Sequence, residues 1–340
     1  MITRIRLTLK QNRFEVAAAI ILCVGVAIGA IVEALRLNAV NLPSGCYAYA
    51  AYGGFQPGIS PACFSASSQW LAIHNSVDMR LIEPLPQMLP FVVGIMLGAP
   101  LVARELEHGT APLSWALAGS RRRWLAARIG AVLLLIVPLL LALGLASDFL
   151  EGATAPGLNP WADFSDYMGR GVPLVFWGLA SFAGTLALGT LIGRTAPAIL
   201  LAIVICVLVR GTWEAGMNRT VLPPLSQMLA TQADVDSGTP WGPDMSNSLI
   251  VYAKTYLDGK PWDGDINAWY GEHMTTVVDS NGNIMQTGPT DPSQMPTDVP
   301  FGIPGSEYWP IIALECAILS LGSLLCAAVA LFRVDGRRPY

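Results

Sequence analysis

Six apolar segments, each long enough to cross a lipid bilayer, constrain this chain of 340 residues more than any other feature. A helix needs about 20 predominantly apolar residues to cross the hydrocarbon core. Charged residues make up only 13% of the chain, against about 25% in a soluble domain. The sequence therefore predicts an all-α polytopic membrane protein with six transmembrane helices, at residues 14–35, 85–103, 129–146, 171–192, 196–213 and 309–332.

The basic residues predict the orientation. Thirteen of the twenty lysines and arginines lie in the N-terminal segment, between segments 2 and 3, between segments 4 and 5, or after segment 6. Short loops rich in lysine and arginine stay cytoplasmic, so we expect both termini in the cytoplasm. Residues 1–13 carry Ile2, Ile5 and Leu9 at roughly helical spacing beside basic residues, which predicts a cytoplasmic interfacial helix.

Two long loops fall on the opposite face. The outer loop, residues 38–83, holds Cys46 and Cys63. These are two free thiols or one disulfide, and we favour the disulfide because disulfides persist in oxidising compartments.

The second loop, residues 214–306, is the one sizeable polar insert and is predicted to be an extracytoplasmic module. Residues 274–285 read MTTVVDSNGNIM, which predicts a β-hairpin with Asn281-Gly282 at the turn. Residues 246–257 are predicted to form a short helix, and the prolines predict loops elsewhere, so we expect a small mixed α/β insert. It is either a lid over the outer exit, seated by Trp241, Trp262 and Trp269, or an insert that the fold tolerates.

The chain lacks motifs for catalysis. Its three lysines, Lys10, Lys254 and Lys260, all lie outside a GxxxxGK[ST] pattern, so we expect no ATP site of the Walker A type in this chain. The histidines are far apart and no Cys or His pair has ligand spacing, which predicts no metal site. We therefore expect no enzymatic activity, no cofactor and no nucleic-acid partner for the chain itself.

Charges within the apolar segments indicate a special role, because they are costly in a bilayer. Arg210 in segment 5 and Glu315 in segment 6 lie at similar depths, which allows an ion pair between them. Glu214, one helical turn after Arg210, is the alternative partner. The pair either fastens the helices together or contacts cargo and gates a pathway.

Glycines four residues apart recur in the segments and let helix backbones approach closely. They mark packing within one chain, which we favour, or a dimer face. The pairs are Gly25/Gly29, Gly94/Gly98 and Gly189/Gly193.

The stretch between segments 2 and 3, residues 100–128, reads PLVARELEHGTAPLSWALAGSRRRWLAAR. Its charges place it in water between two spans. Glu105 and Glu107 are two residues apart and so point in different directions on a helix. We expect one to face a basic groove on a partner and the other to pair with the Arg121–Arg123 cluster. The alternative is that these charges only mark a solvated membrane boundary.

This stretch resembles the corresponding loop of ABC exporter permeases of the type-2 transmembrane domain family, where R-E-x-E-x-G-T follows span two and a basic cluster precedes span three. The resemblance implies a type V exporter-like fold in a bacterial plasma membrane. It also implies a coupling helix in the loop 104–128 that docks on a separate ATP-binding subunit, which binds ATP and Mg. The coupling residues would be Arg104, Glu105, Glu107, Gly109, Thr110, Arg121, Arg122 and Arg123.

The expected function is thus that of a homodimeric permease exporting drug-like or lipid-like molecules. One alternative is a secondary transporter or channel without an ATPase, using Arg210 and Glu315 for ion coupling. Another is a membrane-anchored binding or sensor protein whose function lies in the module.

Overall fold

The computed structural model describes residues 10–43, 46, 61–118, 120–155, 159, 161–164, 167–236, 248–278, 284–287, 289 and 294–336. The chain divides into two compact units. The first comprises Met1–Pro160, Asp166–Thr212 and Pro310–Tyr340, and the second comprises Trp161–Ser165 and Trp213–Trp309. The predicted interfacial helix at 1–13 lies mostly outside the described residues.

The helices of the first unit confirm the six predicted spans. Six described helical stretches are long and apolar enough to cross a membrane, and we number them spans 1 to 6: Arg13–Ala39, Val77–Glu107, Arg121–Thr154, Gly171–Ile192, Thr195–Val221 and Gly305–Gly336. In element order the helices are α1 (Arg13–Ala39), α2 (Pro61–His74), α3 (Val77–Ile82), α4 (Leu85–Gly98), α5 (Pro100–Glu107), α6 (Ala111–Ala118), α7 (Arg121–Thr154), α8 (Gly171–Ile192), α9 (Thr195–Gly216), α10 (Gln232–Asp236), α11 (Ile266–His273) and α12 (Tyr308–Gly336).

Span 3 is longer than its apolar run predicts. Helix α7 begins at Arg121 because the Ser120 hydroxyl accepts the backbone N–H of Arg123 over 3.2 Å, an N-cap that satisfies one free donor of the first turn. The helix ends at Thr154, eight residues past the predicted end at Ala146. Hydropathy underestimates the length of this helix, because both ends carry charged residues. These residues continue the helix beyond the hydrocarbon core.

The segment at 38–83, predicted to be a loop, is largely helical among the residues described. It contains α2 (Pro61–His74) and α3 (Val77–Ile82). The Ser76 side chain accepts the backbone N–H of Met79 over 3.3 Å and so starts α3. Trp70 and Met79 are buried against span 1 residues such as Leu37, so these helices extend the apolar core.

Spans 2 and 4 pack closely against each other through two glycines of span 2. A Cβ added at Gly94 would lie 2.7 Å from the backbone nitrogen of Phe182, and one added at Gly98 would lie 2.6 Å from the Phe182 carbonyl oxygen. The backbones meet this closely only because both glycines lack a side chain. The Ser181 hydroxyl donates to the carbonyl of Phe91 over 3.1 Å in the same interface. For Gly94 and Gly98 the expected packing within one chain is confirmed.

The spans differ in how far the rest of the chain covers them. Spans 2 and 4 are mostly buried, whereas spans 1, 5 and 6 leave most of their apolar surface exposed, and span 5 is the least covered of the six. Lipid or another protein subunit must cover such a surface, because water contact with it is unfavourable.

The second unit contains the strands. They are β1 (Gln227–Met228), β2 (Leu249–Leu257), β3 (Lys260–Pro261), β4 (Thr275–Val278), β5 (Ile284–Thr287) and β6 (Thr297–Ile303). One antiparallel sheet has the order β1-β6-β2-β3, and β4 pairs with β5 in a hairpin in which Val278 lies opposite Ile284. The predicted hairpin is confirmed, although its turn at Asn281-Gly282 lies outside the described residues.

The prediction of a short helix at 246–257 was wrong, since Leu249–Leu257 is a strand. Its β-branched and aromatic residues, including Val251, Tyr252 and Thr255, favour a strand over a helix. Helix α11 was missed: the Asp265 carboxylate caps it by accepting the backbone N–H of Asn267 over 2.8 Å.

Two tryptophans proposed to anchor the module are described. Trp269 is buried in the second unit and stacks on His273 with ring centroids 4.4 Å apart, while Trp262 is half-buried. Trp241 lies outside the described residues. Trp269 therefore serves the interior of the module rather than an exposed anchor, and the lid hypothesis stays a prediction.

Another contact inside the module is a reciprocal cap. The backbone N–H of Thr231 and its hydroxyl both donate to the Asp234 carboxylate, over 2.9 and 2.6 Å, and the Asp234 N–H donates to the Thr231 hydroxyl. This pattern is a capping box at the start of α10. The hydrogen bonds from Thr231 hold the pKa of Asp234 below its ordinary value.

Candidate functional site

A sharp turn ends span 2 and explains the Gly-Thr of the motif. Gly109 adopts the left-handed conformation with φ of +69°, which residues with a Cβ rarely tolerate. The Thr110 N–H donates to the Glu105 carbonyl over 3.0 Å, and the Gly109 N–H donates to the Leu106 carbonyl over 3.3 Å. This pair of bonds is the Schellman motif that ends helices at a glycine. The turn is therefore fixed in geometry and leads directly into α6 at Ala111.

Helix α6 has one anchored face and one exposed face. Trp115 is buried, and its ring meets Trp124 of span 3 edge to face at 6.2 Å. Leu113, two residues earlier and thus on the other face, is 68% exposed. A short helix with an exposed leucine therefore follows the fixed turn at Gly109, and Ser120 caps the start of span 3 shortly after it. We call the side of the first unit that carries α6, Arg104, the Arg121–Arg123 cluster and Arg128 the basic side.

Glu105 pairs with Arg128 rather than with the Arg121–Arg123 cluster. The Arg128 guanidinium donates to the Glu105 carboxylate, to the side-chain oxygen of Gln11 over 2.8 Å and to the Leu101 carbonyl over 2.9 Å. It also lies over the ring of Trp124 at 4.5 Å from the centroid. Arg128 is only 8% exposed, so this is a buried ion pair between spans 2 and 3. Through its bond to Gln11, Arg128 also contacts the segment just before span 1.

Arg104 and Glu107 connect the same segment to two further spans. Arg104 donates to the carboxylate of Glu15 in the first turn of span 1. Glu107 accepts the backbone N–H of Thr195, the first residue of span 5, over 3.0 Å. Both glutamates of the motif thus have partners within the chain, and their expected role at a docking surface stays a prediction.

Two members of the Arg121–Arg123 cluster bond to the end of span 6. Arg122 donates twice to the Asp335 carboxylate at the end of span 6, over 2.6 and 3.1 Å, and Arg121 donates to the Asp335 carbonyl over 3.1 Å. Arg121 also lies over the Trp115 ring, 4.7 Å from the centroid. Arg123 is exposed. The ends of spans 1, 3, 5 and 6 are thereby all joined to the segment that carries α6.

A cavity of about 220 Å³ lies beside this segment, lined chiefly by Asn12, Arg104, Glu105, His108 and Arg128. Pockets for drug-sized ligands measure about 300–1,000 Å³ and are mostly apolar. This cavity is smaller, and nearly all of its lining residues are polar or charged members or neighbours of the ion-pair network, so it does not have the character of a site for a drug-sized ligand.

Within the spans, Trp177 joins the two charges that the sequence singled out. Glu315 has no solvent exposure, and its carboxylate accepts the indole N–H of Trp177 in span 4 over 2.9 Å. The guanidinium of Arg210 in span 5 lies over the same indole, 5.8 Å from the ring centroid. Spans 4, 5 and 6 therefore meet at one tryptophan. The other carboxylate oxygen, Oε2, lacks a hydrogen-bond partner among the described residues.

Several residues of these networks were missing from the sequence-based site, among them Glu15, Arg128, Trp177 and Asp335. A polar residue near a span end, or a tryptophan within a span, is a weak signal because most such residues only face the interface or pack. The side chain of Glu214, the alternative partner of Arg210, lies outside the described part of the chain.

On the side opposite α6, a disulfide joins Cys46 and Cys63, as the sequence predicted, with Cα atoms 5.3 Å apart. Nearby, Arg36 pairs with the buried Glu33 over 2.8 Å and reaches Asp78 at 3.5 Å. Among the residues that the structure describes, no group of three His, Cys, Asp or Glu side chains has the arrangement of a metal site.

Six membrane-capable helices and a charged turn–helix–turn between spans 2 and 3 define a multi-pass membrane protein. The family model described as ABC-2 membrane transporter related matches residues 14–217, well over half of the chain. The protein therefore belongs to this family, which confirms the resemblance to ABC-2 type permeases. The match ends before most of the second unit and span 6. Searches of the curated proteins and of the solved structures found no match.

Proposed function

We propose that this chain is the permease subunit of an ATP-driven exporter. Two copies span the membrane, and a separate ATP-binding subunit docks on α6 of each. ATP and Mg bind to that subunit, because the permease sequence holds no Walker A loop. The basic side is cytoplasmic, as are both termini, in the plasma membrane of a bacterium.

The observation that carries this proposal is the construction of the segment from Arg104 to Arg128. Its helix α6 exposes Leu113 shortly after the fixed turn at Gly109. Charged residues of the segment bond to the ends of three other spans, 1, 5 and 6, and join spans 2 and 3 to each other. A partner that pushes on α6 acts on the ion pairs of the whole basic side. A segment that only marked the membrane boundary would not need these hydrogen bonds and ion pairs to other spans.

Two copies fit the exposure of the spans. Span 5 presents nearly all of its apolar surface outside its own chain. A second permease and surrounding lipid are the partners that cover such a surface in a bilayer. Cargo of a drug-like or lipid-like kind would pass outward between the copies.

A secondary transporter is the second candidate, and the buried carboxylate of Glu315 supports it. Intramembrane carboxylates serve as proton or ion sites in transporters that need no ATPase. This reading places coupling at Glu315 and Arg210 instead of at α6. In both readings the chain itself carries no catalytic residue.

One experiment separates the candidates. The permease is co-expressed with the Walker A protein encoded by a neighbouring gene, purified by a tag on the permease and reconstituted into lipid vesicles. We expect co-purification and ATP hydrolysis that rises when the permease is present. An isolated permease whose transport of a lipophilic dye follows a proton gradient, with no bound ATPase, would favour the second candidate.

A further inference from the structure

Span 5 begins without a capping side chain of its own. Arg194 precedes the helix, and its carbonyl accepts the Ala198 N–H over 3.3 Å, as the carbonyl of an N-cap residue does. The side chains that cap helices accept hydrogen bonds, whereas an arginine side chain contains donors only. Pro197 has no N–H and removes one of the donors to be satisfied.

The acceptor comes from another span. Glu107, the last residue of α5, accepts the Thr195 N–H over 3.0 Å with its Oε2 atom, across 88 residues of sequence. A carboxylate at this place also complements the positive end of the helix dipole. We propose that Glu107 is a positioning residue that makes the start of span 5 follow the end of span 2.

The position of Glu107 next to α6 gives the bond from Thr195 a role in coupling α6 to span 5. Glu107 lies two residues before Gly109, whose turn leads into α6, and the Schellman bonds leave no flexible linker between them. Span 5 is otherwise the least covered span of the chain. We infer that a displacement of α6 is passed to the first turn of span 5 through this hydrogen bond. This inference rests on the proposed function, since it assumes a partner that moves α6.

Two substitutions remove the bond from opposite ends. Glu107→Ala removes the acceptor. Thr195→Pro removes the donor at the first helical position, where proline is well tolerated. We expect each to abolish the permease-dependent rise in ATP hydrolysis while the ATP-binding subunit stays bound, and the double variant to be no worse than either single one. Glu107→Gln keeps an acceptor oxygen and is expected to retain most of the stimulation.

A third variant separates positioning from simple capping. In the Glu107→Ala background, Arg194→Asn supplies a local cap, because asparagine is among the best N-cap residues. Hydrogen exchange at the backbone amides of residues 196–201 is expected to rise in Glu107→Ala and to return to the wild-type level with the local cap. Stimulation of ATP hydrolysis is expected to stay lost, since the local cap does not contact span 2.

Each result bears on a distinct claim. Restored stimulation with the local cap, or full stimulation in Glu107→Ala, overturns the positioning role. Unchanged amide exchange in Glu107→Ala overturns the cap itself. A wild-type permease that neither binds nor stimulates the ATP-binding subunit overturns the proposed function instead, and the exchange measurement then still decides whether the cap joins spans 2 and 5.

Discussion

Trp177 of span 4 donates its indole N–H to the carboxylate of Glu315 in span 6 over 2.9 Å, in a site that solvent does not reach. The sequence singled out Glu315 and Arg210 but not Trp177, which donates this bond. The Trp177 indole contacts both charges: its N–H donates to Glu315, and its ring face lies beneath the guanidinium of Arg210. One aromatic residue thereby connects three spans.

Replacing Trp177 with phenylalanine should destabilise the permease, because it removes the hydrogen bond from a buried carboxylate. Such a loss costs about 1–3 kcal/mol, and more for a charged group. The measurement is the thermal unfolding midpoint in detergent, with Trp309→Phe, at a half-exposed position, as the control. Adding Glu315→Gln should recover part of the loss. Equal midpoints for Trp177→Phe and the wild type would refute the role of this bond.

Arg128 should be far more sensitive to substitution than Arg123, although both belong to the same basic stretch. Arg128→Ala leaves Glu105 without its charge partner in a largely buried site, and breaking such a pair costs about 3–5 kcal/mol. Arg123 is exposed and serves as the matched control. Expression level and unfolding midpoint are the readouts. Removing Glu105 as well should restore part of the stability, and failure of the double variant to improve on Arg128→Ala would argue against the pair.

A methyl group at Gly98 should separate spans 2 and 4. The added Cβ would lie 2.6 Å from the Phe182 carbonyl oxygen, whereas a Cβ at Gly25 would meet no atom within 4 Å. Overpacking of this kind costs about 1–3 kcal/mol. Gly98→Ala is therefore expected to lower the unfolding midpoint and Gly25→Ala to leave it unchanged or raise it. The reverse order would mean that the two spans are not in contact at Gly98.

The disulfide between Cys46 and Cys63 should appear as a linked peptide pair in mass spectrometry without reductant. Replacing both residues with serine should lower stability by about 3 kcal/mol, the loop-closure value for a bridge of this span. Ready alkylation of both thiols in the native protein would contradict the bridge.

The sequence predicted the six membrane-capable helices well, because the length of an apolar run has one dominant physical cause. Six spans, the loop after span 2 and the hairpin of β4 and β5 all followed from such local signals. The strand Leu249–Leu257 was misassigned as a helix, since a short apolar run carries little information about its period and its β-branched residues were outweighed.

The site was harder to predict because its contacts join residues far apart in the chain. The Glu105–Arg128 pair and the bond from Thr195 to Glu107 depend on which helix ends lie side by side, which no local pattern encodes. Trp177 gave only a weak signal, since a tryptophan in a span most often packs or lies at the membrane interface. The sequence singled out the segment 104–128, and the structure shows that several of its partners, such as Glu15, Thr195 and Asp335, lie elsewhere in the chain.

Site-specific photo-crosslinking can show whether α6 is the docking surface for an ATP-binding subunit. A photoreactive amino acid is placed at Leu113 of α6, which is 68% exposed, and as a control at Leu324 of span 6, which is also 68% exposed. We expect irradiation of the co-purified complex to link the ATP-binding subunit to position 113 and not to position 324. A complex that forms intact yet gives no cross-link at position 113 would contradict it.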